Sequence, residues 1–152
     1  MKLLEILQKT DRNTLYADTD SVIFVEKKGS NTLPLGNLLG DLSSELPTGS
    51  HIDTFISSGP KSYAYKLDSG ASCVKIKGIT LNHVNSQHIN FTTIRDIITG
   101  KIDEIKLPKF NQISRVKHHG IIYNRPTSKV FRKIFTKRQV NHENYISYPY
   151  GF

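Results

Sequence analysis

The chain has 152 residues, 37% of them hydrophobic, with 21 Lys or Arg against 13 Asp or Glu and a formal net charge of +8. This length suits one domain or two small ones, and the modest apolar content predicts a largely polar surface or reliance on a partner or further chain. The single cysteine, Cys73, excludes an internal disulfide and a cysteine-based zinc site. No stretch approaches the roughly 18 apolar residues of a membrane span, and Glu5 cuts short the N-terminal run that resembles a signal peptide. We therefore expect an intracellular protein, in the nucleus or cytoplasm, with no membrane partner.

The positive charge is concentrated in the last third of the chain. Residues 1–100 hold ten Lys or Arg and ten Asp or Glu, whereas residues 101–152 hold eleven and three. A basic segment beside a neutral one favours a polyanionic partner, with nucleic acid as the leading candidate. A well-solvated basic surface explains the same charge equally well.

The N-terminal residues predict a short helix followed by a β-hairpin. Apolar residues recur at helical spacing from Leu3 to Leu7, and a polar run begins at Lys9, which predicts an amphipathic helix over residues 2–10. Two apolar runs, 14–17 and 22–25, flank a polar four-residue turn and predict the hairpin.

The remaining sequence predicts a loop, a second hairpin, a helix and several strands. Residues 27–50 are rich in Gly, Pro and Ser and predict a loop with at most a short turn of helix. Alternating patterns in 61–67 and 73–77 predict a hairpin with a turn at 68–70, in which Lys75 and Lys77 share one face. Residues 91–98 have helical spacing, with Gly100 as the C-terminal cap. Further strands are predicted at 104–107, 121–123 and 130–135.

Two carboxylates stand one residue apart at the tip of the first predicted hairpin, in Tyr16-Ala17-Asp18-Thr19-Asp20-Ser21. They repel each other unless a cation neutralises them. Oxygen ligands at this density suit Mg²⁺, which takes one or two carboxylates together with waters and substrate phosphates. Two such ions about 3.5–4 Å apart carry out two-metal phosphoryl transfer. Asp and Ser are also ordinary turn formers, so turn chemistry alone explains the pattern as well.

The string Tyr-x-Asp-Thr-Asp-Ser between two apolar strands resembles motif C of family B DNA polymerases. Lys61-Ser62-Tyr63 resembles the Lys-x-Tyr motif of the protein-primed subgroup, and Lys75-Ile76-Lys77-Gly78-Ile79 with the helix from Phe91 resembles that group's passage from palm to thumb. Segments 39–42, 58–65 and 148–152 are most similar to polymerases of polinton-like and adintovirus-like elements. The resemblance covers nearly the whole chain, and motif C is its most specific part.

For the motif C residues, the resemblance implies catalytic and metal-binding roles. Asp20 matches the direct metal ligand of the motif and Asp18 matches the more supportive first carboxylate, so both are candidate catalytic residues and ligands of Mg²⁺. Thr19 and Ser21 would shape the turn, and Tyr16 would pack beneath it.

For the downstream residues, the resemblance implies contacts with DNA. Lys61 would hold the primer-strand backbone near its 3′ end with Tyr63 beside it, and Lys75 and Lys77 would contact phosphates without regard to sequence. Each of these lysines is otherwise equally well explained as a solvated strand residue. The implied partners are primer–template DNA, a deoxynucleoside triphosphate and a terminal protein primer.

The basic C-terminal segment mixes charged and aromatic side chains. If 129–137 is a strand, alternate residues from Lys129 to Lys137 place lysines and phenylalanines on one side, which would suit capture of a duplex backbone. The competing interpretation is that the rings belong to the core and the lysines are solvated. Adjacent His118 and His119 would face opposite ways in a strand, which favours a loop pair over a metal site.

These patterns predict an α+β fold with a palm remnant over 1–78 and a basic, β-rich, thumb-like subdomain over 79–152.

Motif A and the nucleotide-gripping helix of the family lie upstream of motif C, and only fifteen residues precede Tyr16. We therefore expect a C-terminal polymerase fragment that does not polymerise DNA by itself. The alternatives are a non-enzymatic nucleic-acid-binding module, in which Asp18 and Asp20 are only turn residues, and a basic interaction domain of a larger complex.

Overall fold

Short apolar runs separated by Gly, Pro and polar turns give the chain many short strands and few helices. A computed structural model describes residues 2–30, 33–116, 120–133, 138–141, 143 and 147–149. In these residues the protein is α+β, with mostly antiparallel two- and three-stranded sheets. The coarse fold class predicted from the sequence is confirmed.

The secondary structure of the described residues divides between two compact units, Met1–His51 and Ile52–Phe152. The helices are α1 (Lys2–Thr10), α2 (His83–His88) and α3 (Phe91–Ile98). The strands are β1 (Thr14–Asp18), β2 (Ser21–Phe24), β3 (Ile52–Gly59), β4 (Ser62–Leu67), β5 (Ser72–Lys75), β6 (Glu104–Lys106), β7 (Phe110–Arg115), β8 (Ile122–Thr127), β9 (Val130–Arg132), β10 (Arg138–Val140) and β11 (Ser147–Pro149).

The first unit contains the predicted helix and hairpin, and both are confirmed. Helix α1 buries Ile6 and Thr10, and the Thr10 hydroxyl donates to the Ile6 carbonyl oxygen at 3.0 Å. Strands β1 and β2 pair antiparallel. At the turn both strands extend one residue further than predicted, because Asp18 and Ser21 pair with each other and leave a two-residue turn, whereas β2 ends one residue earlier, at Phe24. The described residues of the following segment form the predicted loop, with one isolated parallel bridge between Leu35 and Leu42.

The second unit is built on the antiparallel sheet β3–β4–β5. The predicted hairpin of β4 and β5 is confirmed, although β5 ends at Lys75, so Lys77 lies in the turn that follows it. Strand β3 was not predicted. Its sequence, Ile-Asp-Thr-Phe-Ile-Ser-Ser-Gly, has no clean alternation of polar and apolar residues. Its register with β4 also shifts near both ends, between Ile52 and Thr54 and between Ser57 and Gly59.

Helix α3 supplies three of the eight buried core residues of the second unit, more than any other element. Asn90 and Thr93 form a reciprocal capping box at its start. At its end Gly100, with φ of 75°, donates to Ile97, and Lys101 donates to Asp96, which is the Schellman arrangement. The predicted helix and its glycine terminator are confirmed, whereas α2 was not predicted.

One apolar core draws on the sheet, on α3 and on the later strands. Its buried members are Ala64, Ile76, Ile89, Phe91, Ile94, Ile97, Leu107 and Phe131. These residues come from both sides of position 78, where the sequence analysis places the boundary between palm remnant and thumb-like subdomain.

The C-terminal strands form the antiparallel pairs β6–β9, β7–β8 and β10–β11. Strands predicted at 104–107 and 121–123 are confirmed with different limits, and β7 was not predicted. The strand predicted at 130–135 is present as β9, and residues 134–137 lie outside the described residues. Phe131 is only 6% exposed, so the core interpretation holds for this ring.

Candidate metal and nucleic-acid sites

The candidate catalytic carboxylates, Asp18 and Asp20, lie at the tip of the β1–β2 hairpin. Because Asp18 pairs with Ser21, the turn consists of Thr19 and Asp20. The Asp20 N–H donates to the Asp18 carbonyl oxygen at 2.7 Å, a bond that spans two residues as in a γ-turn. This closure keeps both carboxylates at one end of the hairpin.

Thr19 holds this turn in a backbone conformation that few L residues adopt. Its φ is 53°, and the left-handed region costs a residue with a side chain about 1–2 kcal/mol. The Thr19 hydroxyl donates to the Asp18 carboxylate, and the Ser21 hydroxyl donates to the Asp18 carbonyl oxygen, both at 3.1 Å. Both flanking hydroxyls therefore bond to Asp18, which is half-buried, whereas Asp20 is exposed.

The donor set of this turn fits part of a magnesium site. Asp18 and Asp20 offer carboxylate oxygens, and Mg²⁺ normally completes its shell with waters and substrate phosphates. Within the described part of the chain, no three His, Cys, Asp or Glu side chains come together to hold a metal ion. The described residues therefore supply two candidate ligands at this turn.

Lys61 lies in the turn between β3 and β4, in the second unit. Its φ is 57°, and Gly59 in the same turn has φ of 128°. Lys61 is exposed. Lys61, predicted as the first residue of a strand, thus lies in a turn, and both strings that resemble polymerase motifs contain a non-glycine residue in the left-handed conformation.

Two buried serines fix this turn. The Ser58 hydroxyl donates to the Ser62 carbonyl oxygen at 3.2 Å, and the Ser62 hydroxyl accepts from the Lys77 backbone N–H at 3.1 Å. Ser58 and Ser62 are 5% and 9% exposed. The bond from Lys77 ties the backbone of one candidate phosphate-binding lysine to the residue that follows Lys61.

The register of the sheet brings two further candidates together. Tyr63 pairs with Ser57 on one side and with Lys75 on the other, and directly opposed residues share a face of the sheet. Phe55 and Tyr65 extend this face, with ring centroids 6.0 and 6.4 Å from that of Tyr63. The sequence analysis missed both rings. The alternation Tyr63-Ala64-Tyr65 contains the signal for Tyr65, whereas the position of Phe55 depends on the β3 register.

The candidate residues fall into two groups, one in each compact unit. The carboxylates and the supporting Tyr16 belong to Met1–His51, and the candidate DNA contacts belong to Ile52–Phe152. Tyr16 is half-buried on β1, opposite Ile23. His118 and His119 lie outside the described residues.

Comparison of the chain with protein-family models, curated proteins and solved structures finds no match. In the described residues, no helix has both the length and the apolar character needed to cross a membrane.

Proposed function

We propose that this chain is the C-terminal palm and thumb portion of a DNA polymerase of family B, from its protein-primed subgroup. Residues 1–78 would be the palm remnant and 79–152 the basic thumb-like subdomain. The reaction is template-directed nucleotidyl transfer, and these residues contribute part of its metal site and part of its grip on DNA.

The observation that carries the proposal is the Asp18–Asp20 turn. One carboxylate ends β1 at Asp18 and the other lies two residues on, at Asp20 in the turn, and the threonine between them occupies an unfavourable backbone region. Like charges so close in sequence repel each other unless a cation neutralises them. Asp20 would bind Mg²⁺ directly. Asp18, whose carboxylate accepts a hydrogen bond from the Thr19 hydroxyl, would be the supporting carboxylate. When bound, Mg²⁺ supplies the positive charge that activates the attacking 3′-oxygen and stabilises the leaving pyrophosphate.

The proposed contacts with DNA are supported by the β3–β4–β5 sheet and its turns. Lys61 is exposed at a turn that Ser58 and Ser62 hold in place. Lys75 is exposed beside Tyr63 on the aromatic face. Lys61 at this turn and Lys75 on β5 would contact phosphates of a primer strand, which gives sequence-independent binding that weakens with salt.

The test is a titration of fluorescently labelled primer–template DNA with the whole chain, with and without deoxynucleoside triphosphate and Mg²⁺. The proposal predicts that Mg²⁺ strengthens the nucleotide-dependent complex and that Asp20→Asn removes this effect. Asp53→Asn is the matched control, because Asp53 is an exposed aspartate of the second unit. An affinity for DNA that changes neither with Mg²⁺ nor in Asp20→Asn would favour the non-enzymatic nucleic-acid-binding module instead.

A second assay addresses turnover. We expect no primer extension by this polypeptide alone, because its residues include no counterpart of motif A. Mg²⁺-dependent extension that disappears in Asp20→Ala would overturn this expectation.

A further inference from the structure

The four most exposed large apolar side chains of the described residues lie on two surfaces. Leu38 and Leu39, which are 79% and 108% exposed, belong to residues 35–42 of the first unit, here called the leucine loop. Ile113 and Ile122, which are 73% and 69% exposed, belong to the β7–β8 hairpin of the second unit. Scattered apolar residues are common on protein surfaces, but grouped ones mark interaction sites. Each group therefore indicates a surface that binds a partner.

Hydrogen bonds hold the leucine loop in one closed conformation. The Gly36 N–H donates to the Leu42 carbonyl oxygen at 2.9 Å, which joins the two ends of the loop. At its tip the Asp41 N–H donates to the Leu38 carbonyl oxygen, and the Asp41 carboxylate accepts from the Leu38 N–H, both at 2.9 Å. Gly40, with φ of 90°, occupies the third position of this turn, as a type II turn requires. The loop thus presents its leucines on a fixed backbone, which lowers the entropy lost on binding.

The surroundings of the leucine loop are acidic. Residues 29–60 contain no Lys or Arg, and both Asp41 in the loop and Glu45 just beyond it are exposed. Neither carboxylate forms an ion pair within the described residues. An anionic lipid surface or a nucleic acid would repel these carboxylates. The leucine loop therefore fits an apolar protein surface with basic residues beside it.

One face of the β7–β8 hairpin has this composition. Directly paired residues share a face, and the pairing of Arg115 with Ile122 and of Asn124 with Ile113 places both isoleucines and the arginine together. The full set, here called the isoleucine face, is Asn111, Ile113, Arg115, Ile122, Asn124 and Pro126, all of them exposed. The opposite face includes three half-buried residues, Phe110, Ser114 and Thr127. The isoleucine face is therefore the more exposed of the two.

The charge around the isoleucine face is opposite to that around the leucine loop. Residues 105–142 contain ten Lys or Arg and no Asp or Glu. Within the described residues Arg115 forms no ion pair. Complementary charge of this kind steers two surfaces together and suppresses other pairings. Two leucine loops, or two isoleucine faces, would bring like charges together.

We infer that the leucine loop of one copy of this chain docks on the isoleucine face of a second copy. Leu38 and Leu39 would pack against the two exposed isoleucines, with Arg115 facing the carboxylates of the loop. The interface joins two different surfaces, so further copies add until a ring closes. The contact is small, and we expect weak association, at roughly 10 μM to 1 mM. This inference goes beyond the proposed function and involves neither Mg²⁺ nor DNA.

The experiment is analytical ultracentrifugation of the whole chain, freed of nucleic acid, at concentrations up to about 1 mM. The loop variant combines Leu38→Ser with Leu39→Ser. The hairpin variant combines Ile113→Ser with Ile122→Ser. The average mass of the unmodified chain should rise steadily with concentration. Each variant alone should remain near the monomer mass of 17.2 kDa, because loss of a central apolar contact weakens association roughly tenfold or more.

An equimolar mixture of the two variants separates this interface from other modes of self-association. The loop variant retains the isoleucine face, and the hairpin variant retains the leucine loop. The mixture should therefore form a dimer, with an affinity within about twofold of that between unmodified chains, and should add no further copies. Contacts between like surfaces would not be restored by mixing.

Single substitutions test the charges and the specificity of the apolar contact. Arg115→Glu places a carboxylate on the isoleucine face and should weaken association at least roughly fivefold. Arg125→Glu makes the same change on the opposite face and should alter affinity by less than about twofold. Val84→Ser, at a 49% exposed position of α2, is the control for loss of an exposed apolar side chain and should leave association unchanged.

Several results would overturn this inference. A chain that stays monomeric up to about 1 mM would reject self-association at this interface. Loss of association in the loop variant alone would show that leucine loops pack on each other, and a monomeric mixture would reject the pairing of loop with hairpin. Equal losses in Arg115→Glu and Arg125→Glu would reject the isoleucine face. Circular dichroism checks that each variant retains its fold, and the two arginine variants provide the same comparison if a double variant does not.

Discussion

The conformation of Lys61 provides a test that separates stability from binding. Its φ of 57° places it in the left-handed region, which costs a residue with a side chain about 1–2 kcal/mol compared with glycine. Lys61→Gly relieves this cost, whereas Lys61→Ala retains it. Because both variants lose the same side chain, comparing them isolates the effect of the backbone.

The expected difference follows from two opposing terms. Relief of the backbone conformation favours the glycine variant by about 1–2 kcal/mol, and the greater freedom of glycine in the unfolded chain opposes it by about 0.4–1 kcal/mol. With mid-range values of about 1.5 and about 0.7 kcal/mol for these terms, the glycine variant should be more stable than the alanine variant by about 0.8 kcal/mol. For a chain of this size that raises the Tm by roughly 1–4 °C.

The assay is thermal and urea unfolding of both variants, with duplex binding measured in parallel. If Lys61 makes one phosphate contact, both variants should bind duplex DNA about eightfold more weakly than the unmodified chain at 0.1 M salt. This factor follows from a salt slope of about 0.9 for each phosphate contact. If the glycine variant is no more stable than the alanine variant, Lys61 does not occupy the left-handed region in solution. If both bind DNA as the unmodified chain does, Lys61 is not a contact.

Three further predictions concern the framework around the sites. Ser62→Ala removes the acceptor of the Lys77 N–H and should lower the free energy of unfolding by about 1 kcal/mol in urea titrations, with Ser72→Ala at an exposed position of β5 as the control. Ile94→Ala truncates a side chain that is 0% exposed and should cost about 2–5 kcal/mol, whereas Ile113→Ala should stay within about 0.5 kcal/mol. Asn90→Ala removes the side-chain cap of α3 and should cost about 1 kcal/mol, measured as a lower Tm that a serine at the same position largely restores.

The predictable elements were those whose own sequence contains the periodic signal. Helix α3 shows its apolar spacing and its glycine terminator in ten residues, and the β4 and β5 strands alternate around a short turn. Strand β7 has the sequence Phe-Asn-Gln-Ile-Ser-Arg and is exposed on one of its faces throughout. It therefore lacks the alternation that burial imposes on a strand. Helix α2 is six residues long and buries none of them, and its only sequence signal is the Asn82 cap.

The candidate site residues were identified from the sequence, but the contacts between them and the surrounding residues were not. The turn Asp18–Ser21 and the residues Lys61 and Tyr63 were identified from short strings. The adjacency of Lys75 to Tyr63 depends on strand register, and the extension of that face by Phe55 depends on a strand that the sequence pattern did not predict. The buried Ser62 bond to the Lys77 N–H joins positions fifteen residues apart, which no local pattern specifies.

Backbone conformation distinguishes the two explanations of the Asp-Thr-Asp-Ser string. Among the described residues, eight glycines and three other residues, Asp11, Thr19 and Lys61, have positive φ. The chain thus uses glycine at most turns that need this conformation, as ordinary turn chemistry predicts. Turn chemistry explains the aspartates and the serine, but it places Gly or Asn at the left-handed position and disfavours a β-branched residue there. The energy lost at Thr19 and Lys61 needs a separate reason, and retained strain of this kind clusters at functional sites. Thr19 and Lys61 fall within the two strings on which the proposed function rests, whereas Asp11 lies in neither, so positive φ is not confined to those strings. The strain at Thr19 therefore supports the proposed function, and the response of Asp20→Asn to Mg²⁺ tests it.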